Sequence, residues 1–247
     1  MKFQILFFLL IFGAISVSSQ TTPPESDFQF LNETQLVVPL VKSKAKNGKD
    51  FERVTLFLSG TLRAGRNYTR PVDERIGFGF DFKINKYLTL TPSYLYRSAQ
   101  PFQNRREFEN RLRFAASLEN KWTKFSVRNR NQIEYRVRHS RADSVRYRNK
   151  LQFNFPVRGK DKKEIFAPFV ADEVFYDFHD EAWTRNELTL GVSRKLTPTL
   201  SADFFYVYQR SRGSVLKNVN VIGVNLKFKF ERGGKKSGSE PQTPDRR

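Results

Sequence analysis

Along residues 75–84 the chain reads "RIGFGFDFKI": Ile76, Phe78, Phe80, Phe82 and Ile84 alternate with Arg75, Gly77, Gly79, Asp81 and Lys83. A side-chain period of two marks a strand, because successive side chains leave a pleated backbone on opposite faces. At 54–64 the same test puts Val54, Leu56, Leu58, Gly60, Leu62 and Ala64 on one side, and Thr55, Ser59, Thr61 and Arg63 on the other. Repeated along the chain, it predicts strands at 27–40, 51–65, 75–84, 87–97, 107–119, 123–138, 144–157, 165–178, 184–195, 200–211 and 219–230, with no helical period after residue 20. Tight connections, "NK" (85–86), "ENK" (119–121) and "LTPT" (196–199), alternate with longer polar ones, "SAQPFQNRR" (98–106) and "SVLKN" (214–218). Short turns at one end and longer loops at the other predict an all-β fold, an antiparallel transmembrane β-barrel of about 10–12 strands.

Strand length points the same way, since a tilted strand needs roughly 9–11 residues to cross a bilayer. Tyr87, Tyr94, Tyr96, Trp122, Tyr176, Trp183, Tyr206 and Tyr208 recur near strand ends, as interfacial girdles require. The same aromatics would also serve the core of a soluble β-sandwich, although its apolar faces should carry more polar breaks. Eleven candidate strands conflict with the even number of bacterial single-chain barrels, so residues 27–40 are expected to form a plug or an extra strand, unless one strand is hidden.

The stretch "RNRNQIEYRVR" (128–138) sets Arg128, Arg130, Gln132, Glu134, Arg136 and Arg138 against Ile133, Tyr135 and Val137. An Arg or Lys turned to lipid near the midplane costs roughly 2–4 kcal/mol, so this row belongs inside a polar lumen. The same facing turns Arg53, Arg63, Arg111, Arg113, Arg146, Arg148, Lys150 and Arg185 inward, with Glu109, Glu134, Glu173 and Glu187 as their acidic counterparts. Consecutive strands therefore build an arginine wall. It would serve either as the selectivity track of an anion channel or uptake pore, or as the ion-paired filling of a closed barrel.

The chain starts with Lys2, an apolar run Ile5–Ile15 and the small residues "SVSSQ", the layout of a signal peptide at 1–19 with cleavage near Ser19. The run is short of the roughly 18 apolar residues of a transmembrane helix. One domain, 20–230, follows, and the tail "ERGGKKSGSEPQTPDRR" (231–247) is expected to be disordered for want of apolar residues. With no cysteine, disulfides, thiolate metal sites and thiol nucleophiles are excluded. Lys and Arg number 44 against 25 acidic residues, a net charge of +19. In an exported chain that sign disfavours nucleic acid and favours lipopolysaccharide, acidic glycans or small anions. The expected location is the bacterial outer membrane, with lipid and the barrel-assembly machinery as partners. A soluble secreted β-protein binding acidic glycans is the alternative.

Two histidines adjoin loops, in His139-Ser140 and His179-Asp180-Glu181. Membrane lipid hydrolases use a Ser, a His and an acid, but a Ser next to a His faces the other side of a sheet, so an enzyme is not expected. The same residues lack diagnostic metal-ligand spacing, and no cofactor is implied. "RAGRN" (63–67) and "RGGKKSG" (232–238) open no helix and read as turn and tail, not phosphate loops. "NET" (32–34) and "NYT" (67–69) match a glycosylation triplet too short to carry weight.

The succession "FENRLRF" (108–114), "RNRNQIEYRVR" (128–138), "RYRNKLQFNFPV" (146–157), "FVADEVFYDF" (169–178) and "RNELTLGVSRKL" (185–196) resembles the bacterial domain-of-unknown-function family 2490. The resemblance covers 107–230 well and 27–97 more loosely. It implies an exported outer-membrane barrel without an assigned activity. On its pattern Glu109, Arg111, Arg128, Arg130, Arg136, Arg146, Arg148, Glu173, Arg185 and Glu187 hold the matching positions, with no role attached to them. One departure is the chain's end: the aromatic closing the last strand, Phe230, is followed by seventeen residues, so an internal assembly signal is expected.

Overall fold

A computed structural model describes residues 25–44, 50–102, 105–214 and 216–230. The expected signal peptide and the tail lie outside the described residues. The strands are β1 (Ser26–Lys44), β2 (Asp50–Gly65), β3 (Arg70–Lys83), β4 (Leu88–Phe102), β5 (Arg105–Lys121), β6 (Ser126–Arg138), β7 (Ser144–Asn154), β8 (Val157–Arg158), β9 (Glu164–Asp177), β10 (Ala182–Lys195), β11 (Leu200–Ser211) and β12 (Asn218–Lys229). β8 is a two-residue spur on β9. The other eleven close into a ring, each pairing with the next and β12 returning to β1.

Eleven strands winding up and down leave the first and last pointing the same way. The ring therefore closes through one parallel seam, in which Ser26 lies against Asn218 and Val37 against Lys229, while every other seam is antiparallel. Residues 27–40 are thus neither a plug nor a supernumerary strand. They are the seam that lets an odd barrel close. It follows that β1 begins at one end of the barrel, here the N end, and β12 finishes at the other, the C end.

Loop lengths differ from expectation. Among the described residues the connections at the N end include 66–69, 139–143 and 178–181, and those at the C end 84–87, 122–125, 155–163 and 196–199. Among them neither end carries a set of long loops, and the longest, interrupted by β8, is at the C end. "SAQPFQNRR" is mostly strand, because polar outward residues disturb lipid contact but not hydrogen-bonded pairing beyond the bilayer. The turn at 66–68 takes left-handed backbone at Arg66, Asn67 and Tyr68 (φ 54, 56 and 68°). The Asp27 carboxylate holds it by accepting the amides of Arg66 (2.9 Å) and Asn67 (3.0 Å), a concave run of N–H groups around an anion.

The period of two sorts the side chains. Ile76, Leu112, Phe114, Ile133, Leu190, Phe204 and Ile222 stand outside, each more than half exposed. An apolar band of that extent around a closed ring is a lipid-facing surface, and the fold is a transmembrane barrel. Aromatics cluster at its two borders. Trp122 stacks on Phe125 (4.7 Å) at the C end, and Tyr176 packs between Phe178 (5.2 Å) and Trp183 (5.3 Å) at the N end. One oblique polar strip interrupts the band. There Asn149 Nδ2 donates to Asn131 (2.8 Å), Asn131 Nδ2 to Asn129 (2.7 Å), and Asn186 Nδ2 to Asp172 (2.7 Å), so these amides satisfy one another where lipid cannot.

Inside, glycines make room for rings from the neighbouring strand. A Cβ on Gly79 would lie 2.6 Å from Phe57 Cζ, and one on Gly191 2.5 Å from Phe169 Cζ. Phe205 covers Gly223 in the same way. The glycines that alternate with phenylalanines in "RIGFGFDF" are therefore the lumen face, and the rings they admit help fill the barrel.

Candidate functional site

Register sets the arginine wall. Glu134 on β6 lies opposite Arg113 of β5 and Arg146 of β7, Gln132 opposite Arg148, Arg146 opposite Asp177, and Lys150 opposite Glu173 of β9. Even positions on β6 and β7 and odd positions on β5 and β9 all point inward, so acids and bases meet across the seams. Cross-strand pairs of opposite charge are favourable.

Glu134, fully buried, is the hub. It accepts from Arg146 Nε (3.0 Å) and Nη2 (2.5 Å), Arg148 Nη1 (2.8 Å) and Gln132 Nε2 (2.7 Å). Arg148 passes on to Glu173 (2.7 Å), which also receives Arg130 (3.0 Å). Glu109 receives Arg111 (2.8 Å), Arg136 and Arg97 (3.4 Å), and Arg136 continues to Asp177 (2.9 Å). Arg97 bridges in turn to Asp73 (2.7 Å), which also holds Arg75 at 2.7 Å. Arg111 Nη1 stands 3.9 Å from Glu134 and joins the two halves into one network. Charge-assisted, often bridging bonds of this kind offset the loss of hydration that buried ions suffer. Phe175 lies beneath, with the guanidinium carbons of Arg148, Arg146 and Arg185 at 4.7, 5.3 and 5.6 Å from its ring centre.

The structure places the predicted residues unequally. Glu109, Arg111, Arg130, Glu134, Arg136, Arg146, Arg148 and Glu173 are in the network. Arg185 and Glu187 form a looser pair at 3.6 Å. Arg113 makes no ion pair among the described residues. Arg138 turns back onto its own loop, giving Nε to the Ala142 carbonyl (2.6 Å). Arg128 lies away from the wall, near the C end, where it donates to the Ser117 hydroxyl (3.3 Å) and forms no ion pair among the described residues. Sequence reasoning missed Asp73, Arg97 and Asp177 as members. The period of two carried to the strand ends would have found them, because Asp73 shares parity with Arg75, and Asp177 with Glu173.

Buried lumen residues ring the N-end half. Asp27, Asp73, Leu95, Glu109, Glu134, Arg146, Phe175, Thr189, Gln209 and Val221 are each less than a tenth exposed and come from ten of the eleven strands. From the eleventh, Arg63 reaches over to Gln209 on β11 (3.2 Å). Toward the C end the lumen opens into a cavity of about 620 Å³, lined by residues that include Lys42, Lys83, Arg128, Lys227 and Lys229. The ion-paired network thus lies toward the N end and the cavity toward the C end, where Val37, Thr55, Phe57, Ser117, Phe169 and Ala202 are buried as well.

The histidine loops share the N end, as their strand order requires. His139 packs edge-on to Phe108 (6.5 Å), and no hydrogen bond joins the His139 and Ser140 side chains. Among the described residues no group of three or more His, Cys, Asp or Glu could hold a metal ion.

The family described as "Protein of unknown function (DUF2490)" matches residues 43–220. The chain belongs to that family. Among curated protein sequences none matches. Among solved structures, similarity is found to a NanC porin in a rhombohedral crystal form, at 12% identity over 73% of this chain and 84% of that one, with a TM-score of 0.45. LpxR from Salmonella typhimurium aligns at 7% identity over 73% and 83%, with a TM-score of 0.42. An anion-selective porin from Comamonas acidovorans aligns at 11% identity over 74% and 59%, with a TM-score of 0.35. These similarities lend the DUF2490 chain no mechanism. The DUF2490 match spans β2 to β11 and with them the whole wall.

Proposed function

We propose that this DUF2490 chain is a bacterial outer-membrane barrel with a closed lumen, a non-conducting and non-enzymatic membrane component whose arginine wall is a structural plug. The observation that carries the reading is Glu134: a carboxylate with no solvent exposure, held between Arg146 and Arg148 at the level where Val221, on the far side of the ring, is also fully buried. An open pore would leave lumen side chains wet. Lipid and lipopolysaccharide would surround the apolar band, and the barrel-assembly machinery would insert the chain, with Phe230 near the end of β12 as part of the signal.

A second reading, an anion-selective pore whose wall opens, is supported by Arg113 and Lys150, lumen cations that lie opposite Glu134 and Glu173 in register but form no ion pair among the described residues. Small anions or acidic glycans would then follow them through. Conductance of the refolded protein in a planar bilayer decides between the two. The closed reading expects a folded, silent barrel. Stable anion-selective steps altered by Arg130→Ala would replace it with the pore.

A further inference from the structure

The C-end cavity takes no part in the wall and has its own chemistry. Its charged lining consists of Lys42, Lys83, Lys121, Arg128, Lys227 and Lys229 against Glu52, Asp81 and Glu119, six cations to three carboxylates. Two of the cations are neutralised locally, Lys229 by Glu52 at 2.6 Å and Lys121 by Glu119 at 3.2 Å. Asp81 is engaged by the Thr91 hydroxyl at 2.6 Å. Lys42, Lys83, Arg128 and Lys227 have no ion-pair partner among the described residues. Lys227 on β12 and Arg128 on β6 come from opposite walls, with Asp81 of β3 in the same lining.

We propose that this vestibule binds a compact phosphate-bearing anion carrying two or more negative charges. A volume of about 620 Å³ falls in the range of roughly 300–1,000 Å³ typical of small-molecule sites. Like charges held around one cavity by a rigid ring are relieved by an anion placed between them, and more so by a doubly charged one. Phosphate carries two or more charges on one compact group, which a single carboxylate does not. Arginine's planar fork matches carboxylate and phosphate alike, whereas lysine acts as a point charge and binds phosphate without demanding planarity. The wall is arginine paired with carboxylate; the vestibule is lysine with one arginine. Hydroxyls of Thr55, Thr89 and Ser117 add neutral donors.

The test is calorimetric titration of the full chain, folded in detergent at low salt, with inorganic pyrophosphate and, separately, with acetate. Saturable pyrophosphate binding, weakened by added salt and much tighter than acetate, is expected. Lys227→Ala and Lys83→Ala should each weaken it about fivefold, the effect of one unit charge at about 4 Å in near-bulk water, and Lys227→Arg should restore most of the loss. Heat-modifiable gel migration confirms that each variant is folded, and the two alanine variants serve as substitutes for each other. Glycerol phosphate and phosphatidic acid micelles, run as competitors, tell a free phosphate ester from a lipid headgroup. No saturable binding, equal affinity for acetate, or binding indifferent to the lysine substitutions would overturn the proposal. Binding is read in solution, so a conducting barrel would overturn the closed lumen and leave this result standing.

Discussion

Replacing Glu134 by Gln removes one negative charge from the most enclosed point of the lumen while keeping its shape. Its carboxylate accepts four hydrogen bonds, three of them from guanidinium groups. The amide keeps one acceptor oxygen and turns an NH₂ toward donors. Arg148 still has Glu173 at 2.7 Å, so the cation left without a bonded carboxylate is Arg146, buried at the seam with β9. Removing one partner of a buried ion pair costs about 3–5 kcal/mol, because the other charge stays desolvated and uncompensated. A loss of about 4 kcal/mol is therefore expected. Urea unfolding in lipid vesicles reads it, with Trp122 and Trp183 reporting from opposite ends of the barrel. The double variant Glu134→Gln/Arg146→Gln should lose about 1–3 kcal/mol less than the two single losses added together, since the stranded charge is gone. A loss under about 1 kcal/mol for Glu134→Gln, or strict additivity in the double variant, would refute the buried hub, because an exposed ion pair gives no more than that.

Three further outcomes follow. Leu36 and Phe228 are register partners across the parallel seam, and the chain has no cysteine of its own, so Leu36→Cys/Phe228→Cys joined by a short bismaleimide should give an intramolecular crosslink on a gel. A crosslink-free monomer would contradict closure with eleven strands. Gly79→Ala should cost about 1–3 kcal/mol by overpacking Phe57 and Ser93, whereas Gly60→Ala, where nothing lies within 4 Å, should stay within about 1 kcal/mol of the parent; equal urea midpoints for the two variants would show that the lumen glycines are not packing sites. Arg148→Lys keeps the charge but cannot bridge Glu134 and Glu173 with a fork, so a loss of about 2 kcal/mol is expected in the same urea assay, and an unchanged midpoint would make the bridge dispensable.

The barrel was legible because its facing rule is local. Each strand states by alternation which side meets lipid, and the penalty for turning arginine outward leaves one solution, so the strand list and the inward set emerge from "RNRNQIEYRVR" and its neighbours. Closure was not legible in that way. Whether residues 27–40 plug the lumen or complete the ring depends on a pairing almost two hundred residues distant, and β1 carries the same alternation in either role. Loop lengths misled for a related reason. "SAQPFQNRR" is polar because it leaves the bilayer, and polarity alone does not distinguish a loop from a strand continued into water. Within the site, alternation names the residues that share the lumen but not their partners. Arg138 lies opposite Glu109 in register, yet its guanidinium bonds to Ala142, because a strand-end arginine has a loop carbonyl in reach.

The distribution of the two basic side chains explains why one lumen has two ends of different character. In the wall several guanidiniums serve two carboxylates each: Arg97 joins Asp73 to Glu109, Arg136 joins Glu109 to Asp177, and Arg148 joins Glu134 to Glu173. Such bridging needs a rigid group with donors on more than one edge, and it converts separate pairs into one connected lattice. An ammonium on a flexible stem would have to choose one acid and leave the other buried without a partner. In the vestibule that constraint is absent, since water reaches the side chains, and lysines sit there with their charge unspent. Surplus charge placed within the lattice would have to be desolvated; placed in the open half it remains hydrated until an anion displaces the water. The ion-paired wall and the cationic cavity thus follow one tendency: most fixed charge at the buried end is bridged to carboxylates, Arg113 and Lys150 excepted, while four of the cavity's six cations have no ion pair among the described residues.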